Sequence, residues 1–238
     1  MGKLVLLFSL LLCWSVTLGQ TKISSGKITI AQIPETIKFR GKLAEAWQWK
    51  DNSGDNILIT SAVPAYKAKS FTGDEEEEAY SAELHAFHFV KKDTTYKLLW
   101  KISDGTKGCP FDITAEFIKD AIKISDLDKN GIAETTIQYK LACRSDATPA
   151  QMKLIMHEDT IKYALRGSMW LAVSEEMKFT VTEQNVNLET WKDYKGTDDE
   201  WEKLYGRYQF EKDFLLAPAP FLNFARRQWL RYVKESFD

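Results

Sequence analysis

Histidine and cysteine are scarce in this chain, three of each among 238 residues. His85 and His88 fall three apart in a strand-like segment, so their side chains point to opposite faces and cannot grip one ion together. His157 stands alone beside Glu158, and all three read as scattered core or surface residues. The sequence also lacks GxSxG, HExxH, P-loop and GxGxxG motifs, which leaves no catalytic residue to assign. Excess positive charge is missing as well. Lys and Arg number 32 against 34 Asp and Glu, a formal charge of -2, so no broad positive field exists to collect phosphates and nucleic acid is excluded as a partner. Nor is there a long apolar run: Leu4 to Leu12 falls short of the roughly 20 residues that span about 30 Å of hydrocarbon.

That short run has another use. Met1-Gly2-Lys3 gives it a basic start, and Thr17 and Gly19 put small residues at the -3 and -1 positions before Gln20. Residues 1–19 therefore read as a cleaved signal peptide, the only expected contact with a membrane, and the mature protein as exported to the periplasm, the cell surface or the medium. Cleavage removes Cys13 and leaves Cys109 and Cys143 in a compartment that permits disulfides. The two are expected to pair; two buried free thiols are the alternative, since two cysteines alone prove no geometry.

With 44% hydrophobic and 28% charged residues the chain is globular. Segments 43–50, 56–63, 81–91 and 95–103 are short, rich in β-branched or aromatic residues, and separated by turn-forming clusters. Segments 120–125, 134–142, 151–157 and 161–166 repeat that plan, although Thr148-Pro149 before the third could equally cap a helix. The fold expected is mainly β: two four-stranded antiparallel meanders, about 36–103 and 109–167, arranged like propeller blades or as a sandwich. The β domain spans 20–190 and a helical C-terminal cap, 191–238, packs on it. Within the cap, Thr197 followed by Asp198, Asp199 and Glu200 has capping-box spacing, and Leu222, Ala225, Trp229 and Val233 recur at helical spacing. The run Asp74 to Glu78 reads as a solvated loop. A faint repeat relates WKDNSGDNILIT at 49–60 to ISDLDKNGIAET at 124–135, an acidic turn between two strands in each case.

The second of these turns carries the chemistry. Asn130-Gly131 alone would make a hairpin, but a hairpin does not need Asp126, Asp128 and Glu134, three carboxylates that repel one another when crowded around one bend. A cation among them removes the conflict. Side-chain oxygens at loop positions 1, 3, 5 and 9 from Asp126, Asp128, Asn130 and Glu134, the carbonyl of Ile132 at 7, and glycine at 6 suit Ca²⁺ before Mg²⁺. The loop is no EF-hand, because position 12 is Ile137 and the flanks read as strands. It resembles the DxDxDGxxD loops of FG-GAP and VCBS repeats, with Asn at the fifth position and Glu at the ninth. That resemblance implies a structural calcium ion held by Asp126, Asp128, Asn130, Ile132 and Glu134.

A second resemblance rests on CPFDI at 109–113, DLDKNGIAE at 126–134, CRSD at 143–146, KLIMHE at 153–158 and KYALRG at 162–167. These are similar to a group of exported bacterial proteins labelled surface polysaccharide biosynthesis protein, which implies an envelope location and carries over no catalytic residue. The reading that follows is a calcium-binding β protein with a non-catalytic binding or assembly role at the cell surface, its partner a glycan or an envelope protein. The alternative is an envelope glycan-processing enzyme using paired carboxylates, whose separation belongs to the fold. Trp47, Trp49, Trp100 and Trp170 are candidates for a sugar-stacking face, although filling the core of a small two-sheet domain is the commoner use of such side chains.

Overall fold

The structure, a computed structural model, describes residues 23–74 and 77–235; the signal-peptide assignment at 1–19 lies outside them. Two antiparallel sheets dominate. The first has β1 (Ser25–Ile28), β2 (Lys42–Asp51), β3 (Gly54–Ala68), β4 (Ala79–Lys92) and β5 (Thr95–Cys109) in simple sequential order. The second contains β6 (Asp112–Phe117), β7 (Lys123–Ser125), β8 (Glu134–Arg144), β9 (Gln151–Glu158) and β10 (Ile161–Ser168). Its order is β10-β9-β8-β6, and β7 pairs with β8 as well: β6 lies against residues 139–144 and β7 against 134–136, so the two share one edge.

The eight expected strands are thus all present, β9 included, and each sheet gains a fifth. The additions, β1 and β6, are short edge strands: SGKI offers a single apolar residue, whereas DITAEF alternates and packs Ala115 and Phe117 against the core between the sheets. The sheets form a sandwich. Alternate residues of β2 to β5, among them Trp49, Leu58, Leu84 and Trp100, meet Ile137, Tyr139, Ile155 and Ala164 of the second sheet in a shared core. Trp49 and Trp100 are therefore filling, not platforms; Trp47 is half-buried with its indole N–H donated to Glu45 at 2.9 Å.

Both outer faces are covered in part. Ile33, Ile37 and Phe39 from the segment before β2 lie on Ile57, Ile59 and Phe89 of the first sheet. Met152, Leu154, Met156, Tyr163 and Leu165 of the second sheet receive the C-terminal cap, whose main element is helix α1 (Ala219–Tyr232). Proline at 218 and 220 suits a helix start, where an amide hydrogen has no intrahelical partner. Phe221, Ala225 and Trp229 form the buried stripe, and Arg227 and Arg231 face solvent. The segment after Thr197 makes only a 3-10 stretch, Asp198–Leu204, and then turns at Gly206, whose φ is +80°. Tyr208 beyond it is extended, pairing with Gly167 near the end of β10, so edge pairing takes the chain where the capping-box spacing after Thr197 pointed to a helix. Residues 169–197 contain no strand or helix and are tied down by bridges such as Asn187 to Tyr208.

Cys109 and Cys143 form a disulfide across a Cα separation of 5.6 Å, a spacing such bridges favour. Cys109 ends β5 and Cys143 nears the end of β8, so the bond joins one sheet to the other. The starts of β3 and β8 lie at the opposite end of the sandwich, and the acidic loop is there.

Candidate metal centre

Residues 126–133 connect β7 to β8 as an eight-residue loop in place of a two-residue hairpin. Its left-handed positions are Lys129 (φ +64°) and Gly131 (φ +81°), and its amides bond to its own side chains. Asn130 N–H donates to Asp128 Oδ1 at 3.2 Å, Gly131 N–H to Asp126 Oδ2 at 3.2 Å, and Ile132 N–H to Asn130 Oδ1 at 2.7 Å. Short polar side chains that satisfy nearby amides in this way fix a loop without a ladder.

Inside the loop, carboxylate oxygens of Asp126, Asp128 and Glu134 lie within 4.8 Å of one another. Glu134 is fully buried: its Oε2 accepts from Ser125 Oγ at 3.0 Å and Leu127 N–H at 2.9 Å, while Oε1 is buried with no partner. Asp126 Oδ1 is in the same condition. A buried oxygen left without a donor forfeits its hydration for nothing in return. Burial pushes the Glu134 carboxyl up to about 7, and the charge of Asp128 adds to the rise. The donors left open are all hard oxygens, the kind that Ca²⁺ takes.

The other two expected ligands are differently placed. The Asn130 amide oxygen is engaged by Ile132 N–H, and its Nδ2 donates to Asp128 Oδ2 at 3.1 Å and to Glu158 Oε1 at 2.6 Å. Ile132 meets the loop through its amide hydrogen. Glu158, the last residue of β9, is therefore part of the site. It lies directly opposite Glu134 in the β8–β9 register, a like-charged pair that weakens a ladder unless something positive intervenes. Burial raises the Glu158 carboxyl, and Asp128 and Asp126 raise it further.

A second missed group comes from the other sheet. The β2–β3 turn docks on the loop: Asn52 N–H donates to Gly131 O at 2.8 Å, Asn52 Nδ2 to Asn130 O at 3.1 Å, and Ala133 N–H to Asp51 Oδ2 at 3.1 Å. A Cβ on Gly131 would stand 2.1 Å from Asn52 Nδ2, so only glycine admits this contact. These are the two turns of the faint repeat, and their likeness gave no hint that they touch. Burial alone would raise the Asp51 carboxyl, but hydrogen bonds from Ser53, Ala133 and Trp49 outweigh it and hold the group below its usual range.

From Asp51 the contacts run into the core. Asn56 Nδ2 donates to Asp51 Oδ1 at 2.9 Å, and Asn56 Oδ1 meets His88 Nε2 at 2.9 Å. The His88 ring packs against Trp49 at 4.9 Å and Trp100 at 5.4 Å, and Trp100 stacks on His157 of the other sheet at 4.1 Å and 11°. Burial lowers His88 to about 4 and His157 to about 3, so both are neutral core residues. In comparisons with known proteins the chain matches no family model, no curated sequence and no solved structure.

Proposed function

We propose that this is an exported calcium-binding β protein with a binding or assembly role at the cell surface, connected with surface polysaccharide through a glycan or envelope-protein partner. The observation that carries the calcium reading is the pair of buried, unpartnered oxygens, Asp126 Oδ1 and Glu134 Oε1, within a three-carboxylate cluster. Asp126, Asp128 and Glu134 would hold the ion, and the ion would supply charge neutralisation. Asn130 and Glu158 border it, and the Asp51-Asn52 turn receives the loop's outer side. On this reading the site serves structure: it fixes one end of the sandwich so that the protein presents a constant surface to its partner.

The compartment is supported by the disulfide, which suits an oxidising location, and by the resemblance to exported envelope proteins. No described helix is long and apolar enough to cross a membrane. The calcium reading is tested by melting chelator-treated protein with and without Ca²⁺. Calcium at about 100 times its dissociation constant stabilises the native state by about 2.7 kcal/mol, which for a chain of this size raises Tm by about 5–10 °C. Asp128→Ala abolishes the rise; no rise in the unaltered protein overturns the reading. The surface role is tested separately, by glycan arrays and pull-downs from envelope extract.

A further inference from the structure

The outer face of the first sheet carries a second constellation, independent of the acidic loop. Ser103 on β5 lies directly opposite His85 on β4, and its Oγ is 3.1 Å from His85 Nδ1. The other ring nitrogen, Nε2, is 2.9 Å from Glu83 Oε2, two residues earlier on the same strand face. Glu83 is itself held: its Oε1 accepts from Arg40 Nη2 at 2.7 Å and from the Tyr66 hydroxyl at 2.7 Å. His85 is 5% exposed, whereas Ser103 is exposed.

The polarity of this chain follows from the donors and acceptors. The Tyr66 hydroxyl, and with it Arg40, keep the Glu83 carboxyl below its usual range, so it is ionised at neutral pH and can only accept. His85 Nε2 must therefore carry the hydrogen. In the neutral ring Nδ1 is then left with its lone pair, facing the serine hydroxyl, which is the tautomer a general base needs. Nucleophile, base and orienting carboxylate are each within hydrogen-bond reach of the next. Which ring nitrogen takes the proton does not alter the chemistry, provided the other is anchored.

We propose that Ser103, His85 and Glu83 form a hydrolytic relay that cleaves O-acyl esters through an acyl-serine. Ser103 and His85 are the catalytic residues and Glu83 the positioning residue. Ser103 Oγ bonds to the acyl carbon as His85 Nδ1 takes its proton, while Arg40 stays paired with Glu83 at 2.7 Å. The tetrahedral intermediate collapses with cleavage of the bond to the alcohol oxygen, which leaves with the proton held by His85. Water then gives a proton to Nδ1 and attacks the acyl-serine. The carboxylic acid departs and Oγ recovers its hydrogen, so one water is consumed for each ester cut. Because Ser103 sits on a sheet face, the substrate class is a small acyl ester projecting from a larger molecule. This activity goes beyond the binding role proposed above and does not depend on calcium.

The test treats the full protein with a fluorophosphonate, maps any adduct by mass spectrometry, and follows hydrolysis of 4-nitrophenyl acetate. The expected result is a single adduct on Ser103. It is absent in Ser103→Ala, an exposed position where the substitution leaves the melting temperature unchanged, and it forms about 100-fold or more slowly in His85→Gln. The labelling rate of the unaltered protein is followed as a function of pH. Glu83→Gln, whose amide can donate to Nε2 and favour the other tautomer, shifts that profile. No adduct on the unaltered protein, equal labelling of Ser103→Ala, or labelling of His85→Gln at the unaltered rate overturns the proposal.

Discussion

Single residues set the pH response, and they do so with opposite signs. His88 and His157 are neutral in the folded state, with values lowered by burial to about 4 and about 3 from an ordinary 6.5. The unfolded chain therefore binds more protons below pH 6.5. The stability these residues contribute is complete above that pH and is lost as pH falls toward their folded values. For His88 the full loss is on the order of 3 kcal/mol. A melting series should show a level Tm above pH 7 and a decline from 6.5 toward 4, and His88→Gln should flatten part of that decline. Glu134 behaves in reverse. Its folded value, raised to about 7, means that without a cation stability falls as pH rises from about 4.5 to about 7. On the calcium reading proposed above the ion takes the ionised form, so its effect on Tm should be larger at pH 8 than at pH 5. Equal shifts at the two pH values would remove Glu134 from the ligand set.

At the scale of elements, the contact between the β2–β3 turn and the acidic loop can be measured on its own. Gly131→Ala places a Cβ at a left-handed position and against Asn52, and should cost about 2 kcal/mol or more in urea unfolding. Asn52→Gly should cost about 1 kcal/mol for the lost hydrogen bond. Combined, the two should cost less than their sum, because the smaller residue removes the clash though not the backbone strain; strict additivity would mean the turns do not touch in solution. The same pair shows what was legible in the sequence. The loop was readable because its carboxylates are neighbours along the chain, and eight of the strands because their segments are rich in β-branched or aromatic residues and bounded by turn-forming clusters. Asn52, 78 residues from Asn130, was not, since nothing in a linear pattern says which turn meets which. Glu158 was missed for the same reason, its place being set by strand register. Ser103 and His85 likewise face one another only through the pairing of β5 with β4.

For the whole molecule, the sandwich is fastened at both ends, covalently by Cys109–Cys143 and by the docked loop at the other. The bridge closes a separation of 34 residues, which by loop-closure arguments stabilises the fold by about 3–4 kcal/mol. Cys109→Ser with Cys143→Ser should lower the unfolding free energy by that amount and leave intact the rise in Tm that the proposed calcium site predicts, since the two fastenings share no residue. The strap that the C-terminal cap lays along β10 has a different consequence. Ser168 N–H donates to Arg207 O and Gln209 N–H to Arg166 O, which occupies the last rungs of an outermost strand. A chain cut short before Tyr205 would lose more than cover for its apolar surface: it would expose a row of vacant amides and carbonyls able to template another copy, and its mode of failure would be chain-to-chain growth into polymers.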